Sequence, residues 1–235
     1  EMLRSLVGSE MCIRDRDNTG KYTSLLWEPN EYINIMVYPF TDSQILGIST
    51  FPYSLKDFFL EGTQQVSASW ITLENLSFPY CISINSSYIY EQSTDERINQ
   101  NDAAITLAHE LGHYLGLRHV FSEGGTTSMC TDTDYCKDTP SYNRSEYEQW
   151  LNNLDKQNKY QLKDLAKRYS CEKGEYEAHN IMDYAYCFYN EITLEQRKRI
   201  RHILNYSPLI PGPKESRIDT RGVQGRLNLP ICIMK

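Results

Sequence analysis

The chain has no Cys-x-x-Cys pair, no internal repeat, no low-complexity tract and no apolar run long enough to cross a bilayer. The missing Cys-x-x-Cys spacing argues against a thiolate-built zinc knuckle. A membrane-spanning helix needs about 20 consecutive apolar residues. The segment Tyr32–Phe40 falls well short of that and reads instead as a buried strand. Basic residues are in deficit, with 24 Lys and Arg against 31 Asp and Glu, for a net charge of -7. No basic stripe with interleaved aromatics offsets this balance, which argues against a nucleic-acid partner. Histidine is scarce as well: there are five in 235 residues. Three of them, His109, His113 and His119, lie in one short stretch, which makes that stretch the most informative part of the chain.

The stretch is His109-Glu110-Leu111-Gly112-His113-Tyr114-Leu115-Gly116-Leu117-Arg118-His119. Residues four apart on an α-helix project from one face, so His109 and His113 can offer imidazole nitrogens to one ion. Gly116 falls where a helix often stops on a left-handed residue, and a turn there brings His119 back as a third ligand. Three protein ligands leave one coordination position open, which distinguishes a catalytic zinc from a closed structural one. Glu110 is adjacent to a ligand and free to act as general base and then general acid. The plainer alternative is a solvated helical glutamate beside a zinc that only holds the fold. Asn101 or Asp102 can cap the helix, and Ala104, Leu107, Ala108, Leu111 and Leu115 form an apolar stripe at helical spacing. His179 and His202 read as structural or surface side chains.

At this length the chain accommodates one catalytic unit or two closely packed subdomains. Strands and loops occupy roughly the first 90 residues. The histidine helix, a long loop, a polar helix over about 145–169 and a terminal basic helix over Thr193–Asn205 follow. That order is α+β. The strands, Tyr80–Asn85 especially, are expected to form a mixed sheet whose edge borders a cleft, because an extended peptide can add to such an edge. Residues 1–16 resemble a translated adapter read-through and are set aside from the fold argument. A native leader, or a thiolate at Cys12 that caps the metal, are the other readings. Residues 207–235 carry Pro208, Pro211, Gly212 and Pro213 and read as a tail. Asn75, Asn85, Asn143 and Asn205 head glycosylation-type triplets that say little without the host.

The elongated motif resembles the metzincin clan of zinc endopeptidases, whose second mark is a methionine-bearing turn beneath the metal. Asn180-Ile181-Met182-Asp183-Tyr184 fits that turn. Within the clan the chain resembles the pappalysin branch, including bacterial metalloproteinase lipoproteins. The further residues that carry this are Leu46–Pro52, Asp138-Thr139-Pro140, and Cys187 followed by a basic helix. The resemblance covers about residues 31–205. It implies a zincin-like fold with an upper subdomain of about 17–116 and an irregular lower one of about 117–206. It also implies one catalytic zinc on His109, His113 and His119, Glu110 as acid/base and Met182 as an apolar floor. Tyr184 is either a hydrogen-bond donor to the tetrahedral oxyanion or a buried structural tyrosine.

The seven cysteines are Cys12, Cys81, Cys130, Cys136, Cys171, Cys187 and Cys232. Clustering of four of them after the histidine motif favours disulfides and an extracellular, cell-surface or periplasmic setting over free buried thiols in a reducing one. Four cysteines allow three pairings. Resemblance to the family favours Cys130 with Cys171 and Cys136 with Cys187. Asp132, Asp134 and Asp138, with Glu123, form a candidate calcium cluster such as some relatives carry, though not at EF-hand spacing; a solvated acidic loop is the alternative. The expected function is zinc-dependent endopeptidase action by a monomer on protein or peptide substrates, with a lipid anchor on a preceding segment as one means of surface attachment. The rivals are a zinc-containing binding module whose catalysis has lapsed and a zinc hydrolase of a non-peptide amide.

Overall fold

Ile82-Ser83-Ile84-Asn85 is buried at every position, as expected of a strand covered on both faces. In the computed structural model it is the middle of a three-stranded sheet. The structure describes residues 26–68, 80–91, 102–122, 132–157, 162–170, 172–184, 186–212 and 214. The elements in chain order are β1 (Ile35–Tyr38), β2 (Gly47–Ser49), β3 (Tyr53–Leu55), β4 (Gln64–Val66), β5 (Ile82–Asn85), α1 (Ala103–Tyr114), α2 (Arg144–Gln157), α3 (Leu162–Leu165), β6 (Lys167–Ser170), β7 (Gly174–Glu177) and α4 (Leu194–Tyr206). The central sheet has the order β1-β5-β2. β1 runs parallel to β5, with Val37 opposite Ile84, and β2 runs antiparallel to it, with Ile48 opposite Ser83. The sheet is therefore mixed, as the sequence suggests. Both β2 and β5 face α1, and among the described strands β2 is the edge on that side while Tyr80–Asn85 supplies the centre.

Two expectations fail here. Tyr32–Phe40 contains a strand, but Ile35 and Val37 are about half exposed, because β1 is an edge with one uncovered face. The polar helix expected over 145–169 does not reach its expected end: the described helices are α2 and α3, and Tyr169 lies in β6, paired with Glu175 of a short antiparallel hairpin.

Two apolar clusters lie on either side of the bend that ends α1. One joins the sheet to α1 and α4 through Tyr80, Ile82, Ile84, Tyr114 and Ile203, with Leu107, Leu111 and Leu115 packed against it. Those leucines match the expected stripe, whereas Ala104 is exposed. The other joins Leu117, Phe121, Tyr142, Tyr147, Met182 and Tyr184. α4 starts on a capping box in which Thr193 accepts from the Gln196 N–H while the Gln196 side chain accepts from the Thr193 N–H. The Gln196 amide also exchanges two hydrogen bonds with Asn180, of 2.8 and 3.0 Å. The start of α4 thereby grips the segment that carries Met182, since Asn180 Oδ1 accepts from the Met182 N–H at 3.0 Å.

Candidate metal centre

α1 presents its polar chemistry inward: His109, Glu110 and His113 are all buried. Asp102 occupies the N-cap position without a side-chain capping hydrogen bond, and Asn101 lies outside the described residues. The helix stops where the sequence says it should. Gly116 has φ +87°. Its N–H donates to His113 O, and the Leu117 N–H donates to Gly112 O, each at 2.9 Å. These two bonds form a Schellman closure, which glycine accepts without steric penalty. Arg199 of α4 completes it by donating from Nη2 to Gly116 O at 3.2 Å.

The turn delivers His119 to the helix pair. His119 Nε2 lies 3.3 Å from His109 Nε2 and 3.0 Å from His113 Nε2. Two nitrogens on a tetrahedral zinc at 2.0–2.1 Å stand about 3.3 Å apart, so the donor set fits one such ion. The outward nitrogens are anchored: His109 Nδ1 donates to Ile181 O at 2.7 Å and His113 Nδ1 to Leu117 O at 2.8 Å. A carbonyl can only accept, so each Nδ1 carries the proton and each Nε2 keeps its lone pair for a metal. Burial, then His109, Arg144 and Arg118, hold His119 well below its ordinary value, which keeps that imidazole neutral. Among the described residues, this triad is the group of three or more His, Cys, Asp or Glu side chains that converges closely enough for an ion.

Glu110 is 3% exposed, and its Oε2 has no hydrogen-bond partner. Burial pushes its carboxyl up to about 8. β2 lies directly against it, because a methyl group added at Gly47 would stand 2.7 Å from Glu110 Cγ. Met182 is fully buried, and a methyl group at Gly112 would overlap its Sδ. The glycine inside the motif is therefore the seat of the methionine, a contact that the motif's spacing alone does not reveal. The Tyr184 ring stands 4.5 Å from that of His119 and 5.5 Å from that of His109, with the Arg144 guanidinium 4.6 Å over its face. His179 and His202 stay apart from the triad. The first pairs with Asn190 Oδ1 at 3.0 Å and the second with Phe58 O at 3.0 Å, so His202 is a half-buried tie between α4 and the 56–58 turn rather than a surface group.

Two expected groupings do not form. Cys136 and Cys187 are separate buried free thiols, so the Cys136–Cys187 disulfide is absent; Cys130 and Cys171 lie outside the described residues. Cys187 Sγ instead donates to Asn180 O at 3.2 Å and accepts from the Tyr189 N–H at 3.5 Å. Burial raises both thiols, Cys136 to about 12, leaving them unreactive. Among the described residues, Asp132, Asp134 and Asp138 form no ion-binding group, and Glu123 lies outside the described residues. Asp132 Oδ1 accepts from the N–H groups of Asp134 and Tyr135, and Asp134 accepts from the Cys136 N–H and the Thr139 hydroxyl. Asp138 Oδ2 accepts from the Glu195 N–H at 2.9 Å. These carboxylates cap turns and the start of α4, so they do not converge on an ion.

Sequence reasoning missed Arg168. It is a buried cation, and its Nε lies 3.4 Å from Asp183 Oδ2, with the two side chains 0% and 1% exposed. Removing one member of such a pair costs about 3–5 kcal/mol. No spacing rule marks it, although the Thr193-x-x-Gln196 capping signature could have placed the neighbouring α4 contact.

A helix-borne histidine pair closed by a third histidine after a glycine turn, with a buried carboxylate beside it, is a donor arrangement suited to a metal ion. A profile of peptidase M43, described as pregnancy-associated plasma protein-A, matches residues 62–205. The chain belongs to this family, the pappalysins. It is 31% identical over 188 residues to an extracellular metalloprotease of Arthroderma otae, and 30% identical over the same length to one of Arthroderma benhamiae. Each alignment covers 79% of this chain and 55% of the relative, so the chain spans about half the length of these relatives. Among solved structures, mature mirolysin of Tannerella forsythia in complex with a cleaved peptide is 26% identical, with a TM-score of 0.36 over 60% of this chain and 44% of that one.

Proposed function

We propose that the chain is the catalytic unit of a secreted zinc endopeptidase with a metzincin-like division into an upper, sheet-bearing part and a lower part around Met182. The observation that carries this reading is the convergence of three Nε2 atoms, with the Nδ1 protons of His109 and His113 anchored, beside a buried carboxylate that has a free oxygen. His109, His113 and His119 would hold the zinc, which when bound supplies Lewis-acid polarisation of a peptide carbonyl and acidifies water. Glu110 takes the proton from the attacking water at Oε2, the buried oxygen left without a partner, and passes it to the leaving amine. Tyr184 donates its phenolic hydrogen to the oxyanion as the carbonyl becomes tetrahedral. Met182 fills the space beneath the histidines as an apolar floor. β2, antiparallel and adjacent to Glu110, is the strand along which an extended peptide would align.

A binding module with lapsed catalysis needs the histidines but has no use for a buried, unpartnered Glu110, so the orphaned carboxylate favours the hydrolase. Zinc-loaded protein incubated with a peptide library should cut internal bonds, and Glu110→Gln should keep its zinc and lose cleavage. Equal inactivity of the two proteins supports the binding module. Cleavage confined to small non-peptide amides supports the third reading.

A further inference from the structure

The backbone of Tyr184 is held on both sides by side chains that touch no ligand. Its N–H donates to Asp183 Oδ1 at 2.7 Å, and its carbonyl accepts from Arg168 Nη2 at 2.9 Å. Asp183 Oδ1 also accepts from the Tyr142 hydroxyl at 2.6 Å. Arg168 is itself fixed: Nη1 donates to Leu165 O at 3.0 Å, and the guanidinium lies 3.7 Å from the centre of the Tyr147 ring. One planar fork thus reaches Asp183, Leu165 and Tyr184 in different directions while stacking on an aromatic face. A lysine ammonium could match the charge but not that geometry.

On its other side, the Tyr184 ring packs against His119 at 4.5 Å and Phe121 at 4.9 Å between ring centres. The ring position is therefore set by the histidine side together with the two backbone anchors. We propose that Arg168 is a positioning residue that, through Asp183 and the Tyr184 carbonyl, sets where the Tyr184 phenol stands over the histidine triad and so governs turnover rather than substrate binding. This rests on Tyr184 acting as the oxyanion donor. Such a donor works only as charge develops, and a misplacement of about 1 Å can lower the rate by about 100-fold without changing ground-state binding.

The test is a double-mutant cycle on zinc-loaded protein, with rates expressed per bound zinc, together with a crystal structure of the Arg168 variant. Arg168→Met should lower kcat by about 10- to 100-fold and leave KM within about two-fold. Tyr184→Phe should lose as much or more, and the double variant should lose no more than Tyr184→Phe alone. Arg168→Lys should recover part of the loss, and it carries the same cycle and structure if Arg168→Met does not fold. In the crystal, the Tyr184 ring should be displaced from His119 by about 1 Å or more. Losses that multiply in the double variant, a raised KM with kcat intact, or an unmoved ring each overturn the proposal. Full kcat in Tyr184→Phe also overturns it but leaves the protease reading standing, because the Glu110→Gln comparison alone decides that. If the parent cuts nothing, the protease reading fails and the ring position still decides the role of Arg168.

Discussion

The histidine turn and the 132–138 loop each gather metal-binding residue types within a few positions, yet they end in opposite states. In the turn, the hydrogen bonds to Ile181 O and Leu117 O take up Nδ1 of His109 and His113, and the Nε2 atoms of the triad face one point. In the loop, Asp132 Oδ1, both oxygens of Asp134 and Asp138 Oδ2 accept from backbone N–H groups and the Thr139 hydroxyl. A ligand set is thus defined by which atoms are already occupied, and residue type alone does not distinguish the two cases. Burial sharpens the contrast: the unpartnered Glu110 Oε2 sits beside the triad, whereas the buried Asp134 has both oxygens bonded.

The comparison breaks most severely at the histidines. His119→Ala should reduce cleavage by about 1,000-fold or more, since it removes a ligand and not just a positioning contact. Asp132→Ala should leave kcat/KM within about two-fold in steady-state assays of the folded protein. Comparable losses in both would mean that the loop takes part in the chemistry.

A second difference is the pH response of stability. Burial raises the Asp134 carboxyl from 3.8 to about 7. The folded chain then holds that proton more tightly than the unfolded chain, so the stabilisation is complete below the unfolded value and is lost as pH rises through the folded one. Asp134→Asn removes this titration. In urea unfolding it should gain on the parent as pH rises from about 5 to about 8. A gap that does not change with pH means that Asp134 remains ionised in the fold.

Gly112→Ala places a methyl group against Met182 Sδ. Overpacking of this kind destabilises by about 1–3 kcal/mol, read as a lower denaturation midpoint with an unchanged slope. An unchanged midpoint would show that Met182 moves aside freely and is no fixed floor. The smallest effect belongs to calcium: adding it to, or chelating it from, the zinc-loaded protein should shift Tm by less than about 1 °C, because no ion-binding cluster forms in the loop. A clear stabilisation by calcium would restore the loop as an ion site.

Legibility in the sequence followed the same divide. His109, Glu110, His113, Gly116 and His119 are readable because helix periodicity and a left-handed stop convert spacing directly into geometry. Thr193–Asn205 is readable as a helix for a similar local reason. The Cys136–Cys187 pairing and the acidic cluster were not readable, because their outcome depends on long-range partners: Asn180 O for Cys187 and the start of α4 for Asp138. Arg168 was invisible for the same reason, since a buried cation in a short strand has no local signature and its meaning comes from Asp183 and Tyr184. The strand β2 was identifiable only as part of a motif resemblance; its place against Glu110 needed the sheet order.

The most direct test is metal content after dialysis against zinc and calcium together, measured by elemental mass spectrometry on the parent and on a variant with His109, His113 and His119 all replaced by alanine. The account expects one zinc and no calcium per parent chain, with the zinc lost from the variant. Retained zinc in the triple variant, or stoichiometric calcium in the parent, would contradict it.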